Sequence, residues 1–345
     1  MLTLKEIKEQ YGSMQQTQDY LAGQADKVRA LFDQNANSLI IFLGSGSSFS
    51  LAQAFAQNTI TGLKRNATAM TAGEVLVHGE RYAAMFQGAI VVAISRSGET
   101  SEIIRALDAV KKYADIRLIA VTCKVNTPLG ALGDVALEMP WAFDNSVCQT
   151  RTVSCLYFTW VYIVGKLSGN AALLADLQKV IDGGDAFLAQ WEEPFKKFAE
   201  GAWDHVVVLG DAEIGGVCEE GALAFKEICQ LPSNFYHVLD LRHGPMVLIG
   251  EKTLVILPLS NHAAELQKAL LEDVKKKGAT VIAYTNKDEK LEGEGVMNVS
   301  FGQELSYPVM GLPMLLIAQL VSYYKSLVTG TDPDNPTGLT AWIKL

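Results

Sequence analysis

The 345 residues (37.4 kDa) are 49% hydrophobic and 19% charged, enough chain for about two domains with a large core, and a composition that excludes wholesale disorder. A formal net charge of −9 and a pI near 5.2 disfavour non-specific binding to nucleic acid or anionic lipid. Five cysteines without CxxC or zinc-finger spacing, and a first segment MLTLKEIKEQ without signal-peptide order, argue for reduced thiols and a cytoplasmic protein. The most apolar runs, 153–167 and 309–323, read as too short or too interrupted to span a bilayer.

Residues 1–36 alternate charged and apolar positions at helical spacing, as in Leu4, Ile7, Tyr11 and Met14, and read as a leading helical arm. Residues 38–43, SLIIFL, are a short apolar run before a glycine, the pattern of a buried parallel strand. A helix follows at about 49–63, then strand 89–94, helix 100–113 and strand 118–122. Helices between about 147 and 201 lead to a second series: strand 206–209, helix 214–229, strand 254–257, helix 263–277 and strand 281–284. Alternation of this kind predicts doubly wound α/β sheets.

The two series are related. VVAISRSGETSEIIRALDAVKKYADIRLIAVT (91–122) aligns without a gap on LVILPLSNHAAELQKALLEDVKKKGATVIAYT (254–285), at an offset of 163 residues. Ser97/Ser260, Glu102/Glu265, Leu107/Leu270, Ile119/Ile282 and Thr122/Thr285 are among the matches. The expected organisation is a helical arm over 1–36, an α/β subdomain over 37–168, a helical connection over 169–200 and a duplicated α/β subdomain over 201–345.

Two strand-to-helix loops of the first half are rich in Ser and Gly: Gly44-Ser45-Gly46-Ser47-Ser48 and Ser95-Arg96-Ser97-Gly98-Glu99-Thr100. Such loops lie at the carboxyl ends of parallel strands, where glycine lets the backbone approach an anion, and hydroxyls and free helix N–H groups donate to it. There is no Walker lysine and no third glycine of GxGxxG, so the fitting ligand is a small phosphate monoester. The matching loops of the second half are Gly210-Asp211-Ala212-Glu213, whose carboxylates repel phosphate, and Pro258-Leu259-Ser260-Asn261, which has lost the glycine and one of the two serines, so one phosphate site per chain is expected. The second half offers instead GALAFKE, ending in Glu227, and LRHGP, containing His243. On the residues alone, Glu227 reads as a solvated helix position and His243 as a helix cap.

These motifs resemble the sugar isomerase (SIS) family, and in particular the isomerase half of glucosamine-6-phosphate synthases and the fructosamine-6-phosphate deglycases. The resemblance runs from LKEIKEQ (4–10) through GSGSSF, ISRSGET and GALAFKE…LRHGP to GTDPDNPTGLT (330–340). It implies two flavodoxin-like SIS subdomains, each with a five-stranded parallel sheet. It also implies a phosphate site at Gly46, Ser47, Ser48, Ser95, the backbone of Arg96, Ser97 and Thr100. Glu227 would be the catalytic carboxylate and His243 the ring-opening histidine, reaching the site from a neighbouring subunit of a homodimer or larger homo-oligomer. By the same analogy Gln149, Phe143, Asp144 and the tail around Trp342 line the amine side.

The sequence departs from the synthases at Gln149, Ala224 and near Ala341, where those enzymes place a serine and two lysines, and it begins where their isomerase half would. The expectation is therefore an enzyme that cleaves the C–N bond of a 6-phosphorylated amino sugar or Amadori adduct, by proton transfer alone and without metal or redox cofactor. An amino-sugar-phosphate deaminase or isomerase is the close alternative, and a non-catalytic sugar-phosphate sensor is the alternative of another class. Neither nucleic acid nor membrane is an expected partner.

Overall fold

The apolar runs become the inner strands of two five-stranded sheets in the computed structural model, which describes residues 1–260, 262, 264–286 and 293–341. Three helices open the chain: α1 (Leu2–Lys8), α2 (Gln10–Ala22) and α3 (Ala25–Gln34). The first sheet is built from β1 (Ile40–Gly44), α4 (Ser47–Leu63), β2 (Ala67–Thr71), α5 (Ala72–His78), α6 (Ala83–Phe86), β3 (Ile90–Ser95), α7 (Ser101–Val110), β4 (Arg117–Thr122), α8 (Pro128–Leu132) and β5 (Val135–Glu138). Helices α9 (Arg151–Ser168) and α10 (Ala171–Ala199) follow. The second sheet comes from β6 (His205–Leu209), α11 (Gly215–Ile228), β7 (Ser233–Tyr236), β8 (Thr253–Pro258), α12 (Ala264–Lys276), β9 (Thr280–Thr285) and β10 (Val296–Ser300), and α13 (Tyr307–Thr329) comes after it.

The strand orders are β2-β1-β3-β4-β5 and β10-β9-β8-β6-β7, with every pairing parallel. Each order reverses direction between two central strands, β1/β3 in one sheet and β6/β8 in the other, as doubly wound sheets do. The internal repeat is structural: the same offset carries the start of β3 onto β8, of α7 onto α12 and of β4 onto β9. This is the duplicated flavodoxin-like α/β architecture expected from the sequence.

Packing divides the chain into two units that do not follow chain order. One comprises Glu9–Leu177 with Thr340 and Ala341; the other joins Met1–Lys8 to Gln178–Leu339. The leading segment is therefore split, α1 going with the second half. The reason is local: Leu2 N and Thr3 N donate to the two carboxylate oxygens of Asp334, each at 2.8 Å, and Thr3 Oγ1 donates to Pro333 O. Asp334 thus satisfies orphan amides at the start of α1.

In the unit holding the first sheet, Ile41, Leu43, Val91, Ala93, Leu118 and Ala120 belong to one core cluster with Val75, Ile103, Leu107 and Leu129. Alternation along β1 turns Phe42 to the opposite face. There it meets Phe55 of α4 and Trp160 of α9, whose rings stack 5.4 Å apart, while Trp160 Nε1 donates to Thr59 Oγ1 at 2.9 Å. The unit holding the second sheet has an equivalent core, with Val207, Leu209, Val255, Leu257, Val281 and Ala283 against Leu270 and Val274 of α12.

Helix α13 is longer than the apolar run 309–323 and, by length and composition, long enough to cross a membrane. Burial accounts for its apolarity instead: 89% of its most apolar window is covered within the structure.

All five cysteines are buried and free. Burial pushes the Cys123 and Cys218 thiols well up, and Cys155 and Cys229 up to about 12. Unfolded thiols ionise near about 8.5, so the unfolded chain loses these protons first. Stability from these thiols is then fully present below that pH and is lost as pH rises toward the folded values, by at most roughly 1.4 kcal/mol per pH unit per thiol. The urea midpoint should fall between pH 8 and pH 10, and a chromogenic disulfide reagent should find its thiols only after unfolding; rapid labelling of the native protein would contradict this packing.

Candidate functional site

Strand β1 ends at Gly44, and the chain turns through Ser45 and the exposed Gly46 into α4. Ser48 N donates to Ser45 O, and Phe49 N and Ser50 N both donate to Gly46 O, which winds the first turn tightly against the strand end. A Cβ at Gly44 would overlap the carbonyl of Ser48 and lie 2.7 Å from Phe49 N, so only glycine allows this approach. Ser47 and Ser48 are buried in that turn.

The neighbouring strand β3 ends at Ser95. Ser95 Oγ lies 3.0 Å from Thr100 Oγ1 and accepts from Gly98 N at 3.0 Å, while Ser97 Oγ accepts from Glu99 N at 3.1 Å. Gly98 takes a φ of +64°, and a side chain there would strike Thr127. Both serine hydroxyls accept a main-chain N–H within the loop, and each keeps one proton, which at Ser95 can go to Thr100 Oγ1 or to a ligand. The two Ser/Gly loops sit on β1 and β3, the pair that flanks the reversal of strand order, where ligands of open α/β sheets bind. The sequence placed both loops at strand ends but had no means of seeing that these strands are adjacent.

Arg96 lies between the two serines but turns its guanidinium elsewhere. It is 4% exposed, donates from Nη1 to Ser146 O and from Nη2 to Val147 O and Ala341 O, and lies over the Phe143 ring at 5.8 Å. Lys124, just past β4, is not singled out by the sequence; its ammonium lies over the same Phe143 ring, 4.9 Å from the centroid, and 3.5 Å from Glu99 of the β3 loop. Its position directly after a strand was the available signal. Gln149 is half-buried, and its side-chain Oε1 is buried without a hydrogen-bond partner among the described residues. The Asp144 carboxylate is occupied at the start of α9, accepting from Thr150 N and Thr152 N and pairing with Arg151 Nε at 3.3 Å, so it serves that helix. Trp342 lies outside the described residues. Cys123, next to the β3 loop through its N–H on Arg96 O, is held protonated by burial and is no nucleophile.

In the second sheet the corresponding loop is closed by its own side chains. Asp211 Oδ1 accepts from His237 Nδ1 at 2.9 Å and from Val238 N at 3.3 Å. Ser260 N donates to Gln267 Oε1, and Asn261 lies outside the described residues. Glu227 is half-buried in the last turn of α11. His243 is exposed on a turn fixed from both sides: Arg242 pairs with Asp273 of α12 at 2.6 Å, and Gly244, at a φ of +121°, leads into Pro245. Glu227 and His243 thus come from different elements of one unit. Among the described residues no three His, Cys, Asp or Glu side chains gather as a metal-binding group.

A family model described as SIS domain matches residues 34–159 and 202–296. The glutamine–fructose-6-phosphate aminotransferase [isomerizing] of Yersinia pseudotuberculosis is 26% identical over 272 residues, which cover 75% of this chain and 44% of that protein. The chain thus spans less than half the length of this curated relative. Among solved structures, glucosamine-6-phosphate deaminase of Thermotoga maritima matches over 100% of both chains with a TM-score of 0.81 and 26% identity. The tagatose-6-phosphate ketose/aldose isomerase of Escherichia coli shares the fold, with a TM-score of 0.84 at 19% identity over 100% of this chain and 96% of that one.

Proposed function

Since the chain belongs to the SIS domain family, we propose that it is a phosphosugar enzyme acting on a 6-phosphorylated amino sugar or fructosamine adduct, and that it cleaves the C–N bond. The observation that carries this reading is the pair of Ser/Gly loops on the strands flanking the reversal of the first sheet, with the Ser95, Ser97 and Thr100 hydroxyls gathered in one of them. A phosphate monoester there would take its hydrogen bonds from the hydroxyls of Ser47, Ser48, Ser95, Ser97 and Thr100.

His243 moves a proton between ring oxygen and anomeric hydroxyl, which opens the sugar. Glu227 then takes a proton from C1 of the ketosamine while O2 gains one, giving the enaminol, and returns its proton to C2 as the nitrogen releases its own, leaving an imine at C1. Water adds to the imine carbon, the C–N bond breaks with its electron pair on nitrogen, and an aldose phosphate and a free amine leave. The second reading, deamination of glucosamine 6-phosphate, is favoured by the full-length match to the Thermotoga maritima deaminase and uses the same two residues. Purified protein should be screened against 6-phosphofructosyl amino acids and glucosamine 6-phosphate for amine release; release from neither would refute both readings.

Ser95→Ala and Ser97→Ala should each weaken glucose 6-phosphate binding by about one to two powers of ten, since a hydrogen bond to a charged acceptor is worth roughly 1.5–3 kcal/mol. Ser260→Ala, in the second sheet's loop, should change it by less than about twofold; the assignment fails if calorimetry finds all three alike.

The active species is further proposed to be a homo-oligomer in which His243 serves a neighbouring chain's site. Mixing the Glu227→Gln and His243→Ala chains should restore part of the activity each lacks. No recovery under conditions where subunits demonstrably exchange would place both groups of a working site in one chain.

A further inference from the structure

The β3 loop has a cation at its centre whose guanidinium is engaged with main-chain carbonyls. Arg96 stands between Ser95 and Ser97, its carbonyl accepts from Cys123 N at 3.0 Å, and its side chain is 4% exposed. Three of the five guanidinium donors are spent on main-chain carbonyls: Ser146 O at 3.0 Å, Val147 O at 3.2 Å and Ala341 O at 2.6 Å. The aromatic face of Phe143 lies alongside at 5.8 Å. A buried guanidinium is costly to leave unpaired, so once the β3 loop is fixed these carbonyls are held with it. Ser146 and Val147 precede α9 by a few residues, whereas Ala341 is 245 residues away and follows the Thr331–Leu339 stretch that packs with the other unit.

We infer that Arg96 is a positioning residue rather than an anion ligand: it ties the β3 loop to the chain at Ala341, so that phosphate binding at Ser95 and Ser97 and docking of the tail at Ala341 strengthen one another. This rests on the phosphate assignment made above. The physical basis is shared ordering. A phosphate on the two serines fixes the backbone of Arg96, which lowers the entropic cost of holding the tail carbonyl; a docked tail does the same for phosphate. Lysine would keep the charge but offers one ammonium where the fork now spans carbonyls of two separate segments.

Coupling between two binding events is reciprocal, and this makes the inference sharp. The probe is glucose 6-phosphate, with inorganic phosphate as the minimal ligand. Its affinity is measured by calorimetry for the full chain and for a chain ended at Thr340, each with Arg96 and with Arg96→Gln. In parallel, carboxypeptidase trimming through Ala341 is followed with and without the ligand. With Arg96 in place, truncation should weaken glucose 6-phosphate by about five- to a hundredfold, and saturating ligand should slow trimming by the same factor. In the Arg96→Gln chain both factors should fall to about one, and Arg96→Lys should recover part of them. A merely structural arginine would lower affinity equally in full and truncated chains and leave no difference between the two. Equal truncation factors with and without Arg96, or unequal binding and trimming factors in the parent chain, would overturn the inference; the second comparison needs no variant at position 96 and stands even if Arg96→Gln does not fold. Absence of glucose 6-phosphate binding in the parent chain would overturn the phosphate assignment and this inference together, whereas binding without coupling would overturn this inference alone.

Discussion

Glu227→Gln should lower turnover by about 10²–10⁴, the usual contribution of a general acid–base group, while leaving glucose 6-phosphate affinity within about twofold. The substitution keeps shape and hydrogen-bonding reach but removes the ability to take a proton from carbon. Glutamine is as good a helix former as glutamate, and the site is a half-buried position in the last turn of α11, so the fold should be unaffected. The serines proposed to hold the phosphate belong to the other unit, which is why affinity for glucose 6-phosphate should survive. Amine release under saturating substrate reads the first effect and calorimetry the second. Turnover within tenfold of the parent would remove Glu227 from the chemistry, and parallel loss of binding and turnover would make it a structural residue.

Gly44→Ala should abolish measurable phosphate binding and destabilise the protein by about 1–3 kcal/mol, the usual cost of forcing extra atoms into a packed site. The new methyl would meet main chain, the Ser48 carbonyl and Phe49 N, and no rotamer change can move it away. The strand cannot retreat either, because β1 is paired on both sides, Gly44 opposite Thr71 and Leu43 opposite Ala93. The first turn of α4 must therefore shift, and it carries Ser47 and Ser48 with it. Gly46→Ala is the comparison: nothing lies within 4 Å of its added Cβ, and the cost there is the strain of a φ of +56°. Equilibrium unfolding and calorimetry on both variants would separate the two effects; normal binding in Gly44→Ala would mean that the loop has another way to close.

How much of this was legible depended on burial. The inner strands β1, β3, β4, β6, β8 and β9 are covered on both faces and appear in the sequence as apolar runs. The four strands without such a signal, β2, β5, β7 and β10, are the edges of the two sheets. ATAMT, VALE, SNFY and VMNVS each bury one residue fully and the rest partly, which is too little contrast for a pattern to emerge. The five-strand count came from the family resemblance. The placing of Ser95, Ser97 and Thr100 at the end of a strand was legible because glycine and hydroxyl residues cluster there after an apolar run. The direction of the Arg96 side chain was not, since its partners are carbonyls at 146, 147 and 341, and carbonyls leave no trace in residue identity. Nor could α1 be assigned to the second half, because a partner it has there, the Asp334 carboxylate, lies 331 positions from Thr3.

That carboxylate also sets an order of events during synthesis. Helix α1 is made before either sheet, and at seven residues it is too short to persist alone in water. The residue that caps it is made 331 positions after Thr3. At roughly 5–20 residues per second, α1 waits about 17–66 s for its anchor while the whole first sheet can form. The contact between α1 and Asp334 is therefore among the last to form, joining a segment made before the first sheet to one made after the second.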